Sequence, residues 1–274
     1  RTSRTQWTVT PGSDVQFLSE GGEDGGGCVR VSTPQRAACS ITRKITGLQP
    51  ERLYRVSARF RCDSVSEGRG AVLSLKPDDS RDQPWNASQF VYGTTGWETV
   101  YMDFLSDPAG NASICAGVGF PWPTSNGGTA KGTVYIDDIQ VIPTPEEAIY
   151  TREGKHIVLR LHRDMVRISD KQADAWIKQL DKAYEAYADL LGETPYDGRK
   201  ITILNTPGIE PGYWALAGNP ILWNSHVAVT QALNNFRKEK DSCFGILHEI
   251  GHTFSAGTIG HPDNWNWNDE IFAN

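Results

Sequence analysis

The chain has 274 residues, a net charge of −6 and no basic run, which argues against nucleic acid or an anionic membrane as a partner. Its 38% hydrophobic content and nine Trp can build ordinary cores at a length that suits two domains, and no apolar run approaches a membrane span. There is no signal peptide and the chain starts at Arg1 without Met, while five cysteines are too few for a disulfide scaffold; the expectation is a trimmed, secreted or cell-surface product.

Residues 1–143 read as strands. Tyr54, Val56, Ala58 and Phe60 alternate with Arg55, Ser57, Arg59 and Arg61, the period of a half-buried strand. Further strands are expected over Ala71–Leu75, Trp97–Phe104, Ala112–Phe120 and Thr133–Val141, set apart by Gly, Pro, Asn and Asp clusters. The glycine-rich run Gly21–Gly27 is a loop, since no helix follows it. Cys28 and Cys39 flank a short Ser-Thr-Pro turn between two strand-like runs, so either a bridge or two buried thiols fits. Many short strands with regular turns predict an all-β jelly-roll sandwich.

Three segments of this half resemble jelly-roll carbohydrate-binding modules: the Tyr54–Phe60 strand, Thr95-Gly96-Trp97-Glu98, and Val134-Tyr135-Ile136-Asp137-Asp138-Ile139. That resemblance implies glycans as partners and a structural Ca²⁺ near the last strand, with Asp138 as the matching carboxylate; the alternative is that Asp137 and Asp138 form a polar turn. Sugar stacking needs exposed rings. Trp85 and Trp122 sit in Pro- and Asn-rich loops and are the candidates, against packing roles for both. Trp97 opens a strand and reads as core.

Residues 144–148 are a linker with Pro145 and two acids, and the pattern changes after it. Ile157–Leu161 reads as a strand. Asp170 caps a long helix to Leu191, carried by the stripe Ala173, Trp176, Ile177, Leu180, Ala183, Tyr184, Tyr187 and Leu191, and Gly192 ends it. Strands follow over Lys200–Leu204 and Pro220–Trp223, then a helix over Thr230–Lys238. The Asn219–His226 stretch is the candidate edge strand for extended substrate. His156, His162 and His226 carry no ligand pattern.

His248-Glu249-Ile250-Gly251-His252 is an H-E-x-x-H run. On a helix, positions i and i+4 leave the same face one turn apart, so two neutral imidazoles can hold one Zn²⁺ at about 2.1 Å. Glu249 can reach a metal-bound water without ligating the metal. Phe244, Leu247 and Ile250 supply a helical apolar stripe, and Asp241 or Ser242 can cap it. A metzincin would need a third histidine where Thr258 stands and a glycine where Ser255 stands, so that class is excluded. His261 fits no ligand spacing. A carboxylate on a following helix, capped by Asn268, is the other route. Glu270 is the candidate, with Asp269 as competitor, and Asn274 lies one turn past Glu270, placed to hold a ligand imidazole from behind.

H-E-I-G-H, the pair Trp265 and Trp267, then Glu270 with Asn274, resembles the enhancin-like gluzincins, strongly over 241–274 and loosely over 150–240. The resemblance implies Zn²⁺ held by His248, His252 and Glu270, Glu249 as general base, and mucin-type O-glycoproteins as substrate. It also implies a C-terminal helical subdomain after the zinc ligands, where this chain stops, so a cut chain is expected.

The whole reads as a β-sandwich over 1–143 and a zincin-like α+β metallopeptidase domain over 149–274. Two other readings stay open: a glycan-binding adhesin with an inactive zincin domain, and a non-peptidase zinc hydrolase. The intact His-Glu-His set argues against the first.

Overall fold

The structure, a computed structural model, describes residues 6–76, 84–120, 128–206, 215–224, 230–239 and 244–254. The chain divides into two compact units, with the change at Thr144 and Pro145.

The first unit is a sandwich of two five-stranded sheets, antiparallel throughout. One sheet holds β1 (Thr8–Val9), β4 (Cys39–Ile45), β6 (Ala71–Lys76), β7 (Asn86–Ala87) and β9 (Ala112–Val118), in the order β1-β4-β9-β6-β7. The other holds β2 (Asp14–Gly21), β3 (Gly27–Ala37), β5 (Leu53–Ser66), β8 (Glu98–Leu105) and β10 (Ala130–Pro143), in the order β2-β3-β10-β5-β8.

Strand β5 shows why the sheets face each other. Tyr54, Val56, Ala58, Phe60 and Cys62 are buried, while Arg55, Ser57, Arg59 and Arg61 are only half-buried. The inward set joins Ile41, Leu73 and Ile114 of the opposite sheet in one core. Burying such side chains contributes about 1.5–3 kcal/mol each, before chain entropy is subtracted. On the outer side, the buried Asp103 accepts Nε and Nη2 of Arg55 at 3.0 and 2.8 Å and the Thr144 hydroxyl at 2.8 Å. A buried carboxylate persists only when its oxygens are met in this way.

Cys28, Cys39, Cys62 and Cys115 are all buried and in no disulfide, so the open choice at Cys28 and Cys39 resolves to no bridge. Burial pushes the Cys62 thiol up to about 11, aided by the nearby Glu98 charge and opposed by the Thr95 hydroxyl.

The second unit is a mixed sheet backed by helices. Its strands are β11 (Ile149–Glu153), β12 (Ile157–His162), β13 (Ile201–Thr206), β14 (Ala215–Leu216) and β15 (Ile221–Asn224), in the order β11-β12-β13-β15-β14. The pairs β12–β13 and β13–β15 are parallel; the outer pairs are antiparallel. Helix α1 (Asp170–Leu191) connects β12 to β13, as a parallel pair requires. It buries Ala173, Trp176, Ile177, Leu180 and Tyr184 along one stripe and stops at Gly192, whose φ of 71° is the left-handed turn that glycine allows. Helices α2 (Thr230–Glu239) and α3 (Phe244–Thr253) add Phe236, Ile246 and Ile250 to the same core.

Two features differ from the sequence expectation. The cap of α1 is Ser169 and not Asp170: the Ser169 side chain accepts the Gln172 N–H while the Gln172 side chain accepts the Ser169 N–H, a capping box. Asp170, one residue on, accepts the Tyr150 hydroxyl at 2.8 Å instead. The stretch expected at the sheet edge contains β15, which has β13 on one side and β14 on the other; among the described residues the last strand is β14.

Candidate metal centre

Helix α3 is apolar on more than one side, and its burial decides which side faces the core. Ile246, Ile250 and then Phe254 follow one another at four-residue steps and are fully buried. Phe244 is 57% exposed, so of the expected stripe of Phe244, Leu247 and Ile250 only Ile250 and, in part, Leu247 pack on the core. Phe244, His248 and His252 form a second row at the same spacing, two residues out of phase with the first and so on the opposite side of the helix.

That second row brings the two histidines together. Their Nε2 atoms lie 2.9 Å apart and their ring centroids 4.4 Å apart at 84°. The Phe244 ring is 5.7 Å from that of His248. Two imidazole nitrogens facing each other this closely need a proton or a cation between them, since two lone pairs repel. Two tetrahedral ligands at about 2.1 Å from one zinc stand roughly 3.4 Å apart, so a small opening of the pair seats the ion. The donor set therefore fits a metal. Glu249 follows His248 on the same turn and is half-buried.

The helix is held by its last turn. Phe254 packs between two tyrosines of α1, at 5.0 Å and 70° to Tyr184 and at 5.4 Å and 21° to Tyr187. Tyr184 in turn stacks on His156 at 4.2 Å and 9°. Helix α3 also lies against β14. The role of Phe254 was overlooked in the sequence, although its place four residues after Ile250 was a signal.

Glu270, Asn274, Asp269, His261, Trp265 and Trp267, with Trp122, His226, Asp241 and Ser242, lie outside the described residues. Among the described residues no group of three or more His, Cys, Asp and Glu side chains could hold a metal, which leaves the His248–His252 pair as a two-ligand set. His156 packs on α1, and the His162 backbone N–H is tied to the buried Asn205 at 2.6 Å.

The other candidates fall in the first unit. Trp85 is half-buried, with its ring edge-on to Phe120 at 5.5 Å, in a small cluster with Val72, Ala87 and Phe90. Trp97 is half-buried, and the Arg61 guanidinium lies 5.3 Å from its ring centroid. Asp138 occupies a left-handed φ of 46° at a register shift in β10, and its carboxylate accepts the Gln140 amide at 2.7 Å. The Asp137 carboxylate accepts the Glu23 backbone N–H at 3.1 Å and the Asp138 N–H at 2.8 Å.

The H-E-x-x-H helix thus lies beside strand β14 of a mixed sheet. The model of the peptidase M60 family, enhancin and enhancin-like, matches residues 119–269, more than half of the chain, and the chain belongs to that family. No curated protein matches the chain. Among solved structures, the CBM22-2 xylan-binding domain from Paenibacillus barcinonensis is similar at 14% identity and a TM-score of 0.40, over 52% of this chain and 94% of that one. The CBM22-1 xylan-binding domain of the same source is similar at 13% identity and a TM-score of 0.39, over 52% of this chain and 88% of that one. The CBM22-1 and GH10 modules of a Clostridium thermocellum endo-1,4-beta-D-xylanase, complexed with xylohexaose, align at 10% identity and a TM-score of 0.39, over 73% of this chain and 35% of that one.

Proposed function

We propose that the protein is a secreted zinc endopeptidase that cuts mucin-type O-glycoproteins, its β-sandwich holding the enzyme on the glycans. The observation that carries this is the convergence of His248 and His252 on one face of α3 at 2.9 Å, within the segment matched by the peptidase family. The zincin architecture of the second unit is part of the same proposal. Membership of the peptidase family favours hydrolysis over an inactive adhesin.

His248, His252 and Glu270 would hold the zinc, and Asn274 would orient one imidazole from behind. Zinc, when bound, supplies Lewis acidity toward a carbonyl and a water. The chain's own residues do the rest. Glu249 takes a proton from the attacking water and returns it to the leaving amine. The exposed Phe244 ring beside His248 offers an apolar wall to the substrate. Strand β14 lies last in its sheet and against α3, where an extended peptide can add as a further strand.

The test is digestion of one mucin before and after enzymatic removal of its glycans, with purified zinc-loaded protein. Preferred cleavage of the glycosylated form supports the reading. Equal cleavage of deglycosylated mucin and casein would reduce it to a general zinc endopeptidase. A protein that cuts nothing while still binding glycans would restore the adhesin.

A further inference from the structure

We propose that a cleft at the rim of the first unit binds a neutral sugar ring, anchored by Glu98 and walled by Tyr92 and Tyr101. The proposal rests on the reading of that unit as glycan-binding, and it places the binding at neither Trp85 nor Trp122.

The cleft lies between β8, the last strand of its sheet, and the segment 89–95 that precedes it. Its volume is about 390 Å³, inside the roughly 300–1,000 Å³ of small-ligand sites. Gln89, Phe90 and Thr99 complete the part of the lining that matters here.

The walls are fixed by the fold. Val91 exchanges two backbone hydrogen bonds of 2.9 Å with Ala71, and Gly93 exchanges two with Val65 at 2.7 and 2.9 Å. The Tyr92 hydroxyl donates to the Gly68 carbonyl at 2.9 Å, which sets the ring while leaving the residue 45% exposed. The Arg55 guanidinium lies 4.5 Å from the centroid of the Tyr101 ring and holds it. A cleft built this way needs no ordering when a ligand enters, which lowers the cost of binding.

Glu98 carries the argument. Its Oε1 is buried and meets no hydrogen-bond donor among the described residues. The nearby cation Arg59 is already committed: its Nε donates to Glu23 at 2.5 Å, Nη1 to the Thr99 hydroxyl at 2.6 Å and Nη2 to the Trp97 carbonyl at 3.1 Å. A carboxylate oxygen withdrawn from water without a donor is destabilising unless something else supplies one. A turn of the Glu98 side chain brings that oxygen to the cleft it lines, where a ligand supplies the donor. The ligand must bring O–H or N–H donors for a carboxylate, apolar faces for the aromatic rings of Tyr92, Tyr101 and Phe90, and further hydroxyls for the exposed Gln89 amide and Thr99. A pyranose ring has all three. A sugar bearing its own carboxylate would meet Glu98 with like charge, so the ring is neutral.

The experiment uses the purified protein on an array of O-glycan cores with and without sialic acid, then calorimetric titration of the best-bound neutral glycan. Glu98→Ala and Tyr92→Ala should each weaken that affinity about tenfold or more, the size of one hydrogen bond to a charged group. Melting curves show whether each variant is folded, and Tyr92, at the surface, keeps the test open should Glu98→Ala not fold. Glycan binding unchanged in a folded variant overturns the cleft and leaves the glycan-binding reading standing. Binding confined to sialylated glycans, or competed by unglycosylated peptide, overturns the neutral sugar. Binding to no glycan at all overturns the glycan-binding reading and the cleft together.

Discussion

The Nε2 atoms of His248 and His252 face each other across 2.9 Å on the side of α3 turned away from Ile246 and Ile250. The core thus takes one side of the helix and the histidine pair takes the other. In the proposed reading a metal between the nitrogens would relieve the repulsion of their lone pairs, and Glu270 would be its third ligand. Chelator-stripped protein should rebind about one zinc per chain. Glu270→Ala should abolish that binding at micromolar zinc, Asp269→Ala should leave it, and Asn274→Ala should weaken it about 10–100-fold. Zinc titration with a competing indicator reads all three. An effect of Asp269→Ala larger than that of Glu270→Ala would reverse the ligand assignment.

Phe254 ties the metal helix to α1, so its loss should be felt in stability before chemistry. Phe254→Ala opens a cavity against Tyr184 and Tyr187 and should cost about 3–5 kcal/mol in urea unfolding. Phe254→Leu should recover a large part of it. A change below 1 kcal/mol for the alanine variant would show that the contact with the tyrosines holds nothing.

Much of this was legible in the residues, and the failures have physical reasons. The alternation of Tyr54 to Phe60 is clean because β5 lies inside its sheet, with one face on the core and the other half in water. Strand β2 is the outermost strand and exposes residues on both faces, so it shows no period; the Ser-Thr-Pro turn expected between the runs at Cys28 and Cys39 lies inside β3, which carries Pro34 near its end. Strand β14 has two residues, too few for any period. The cap of α1 was misplaced by one because Ser169 and Asp170 are both good caps; Gln172, three residues after Ser169, was the deciding signal. The histidine pair was legible because i and i+4 is a local rule. Which apolar row of α3 packs was not, because that is settled by Tyr184 and Tyr187 of a helix distant in sequence.

The buried Arg55–Asp103 pair predicts an asymmetry. Asp103→Ala removes the carboxylate from a half-buried guanidinium and from the Thr144 hydroxyl, and should cost about 3 kcal/mol. Replacing Thr144 with Val removes one neutral partner and should cost about 1 kcal/mol. Thermal melts of the two variants give the comparison; equal losses would contradict the account of that carboxylate.

Tyr150 links β11 to the first residue of α1. Burial, and next the hydrogen bond to Asp170, push its phenol up to about 12 from an ordinary value of 10. The folded state therefore holds this proton more tightly than the unfolded state. The resulting stability is fully present below pH 10 and is lost as pH rises through about 12. Tyr150→Phe should lower stability at pH 7 by about 1 kcal/mol and flatten its decline over that alkaline window. An identical alkaline decline in the variant would sink the assignment.

The central claim is that Glu249 moves the proton and does not hold the metal. The direct measurement is the initial rate of mucin cleavage by Glu249→Gln beside the unsubstituted protein, with zinc content determined in the same samples. The account predicts the same zinc per chain in both and a rate lower by at least about 10²-fold in the variant, the size of a general-base contribution. Hydrolysis at the unsubstituted rate, or a variant that has lost its zinc, would contradict it.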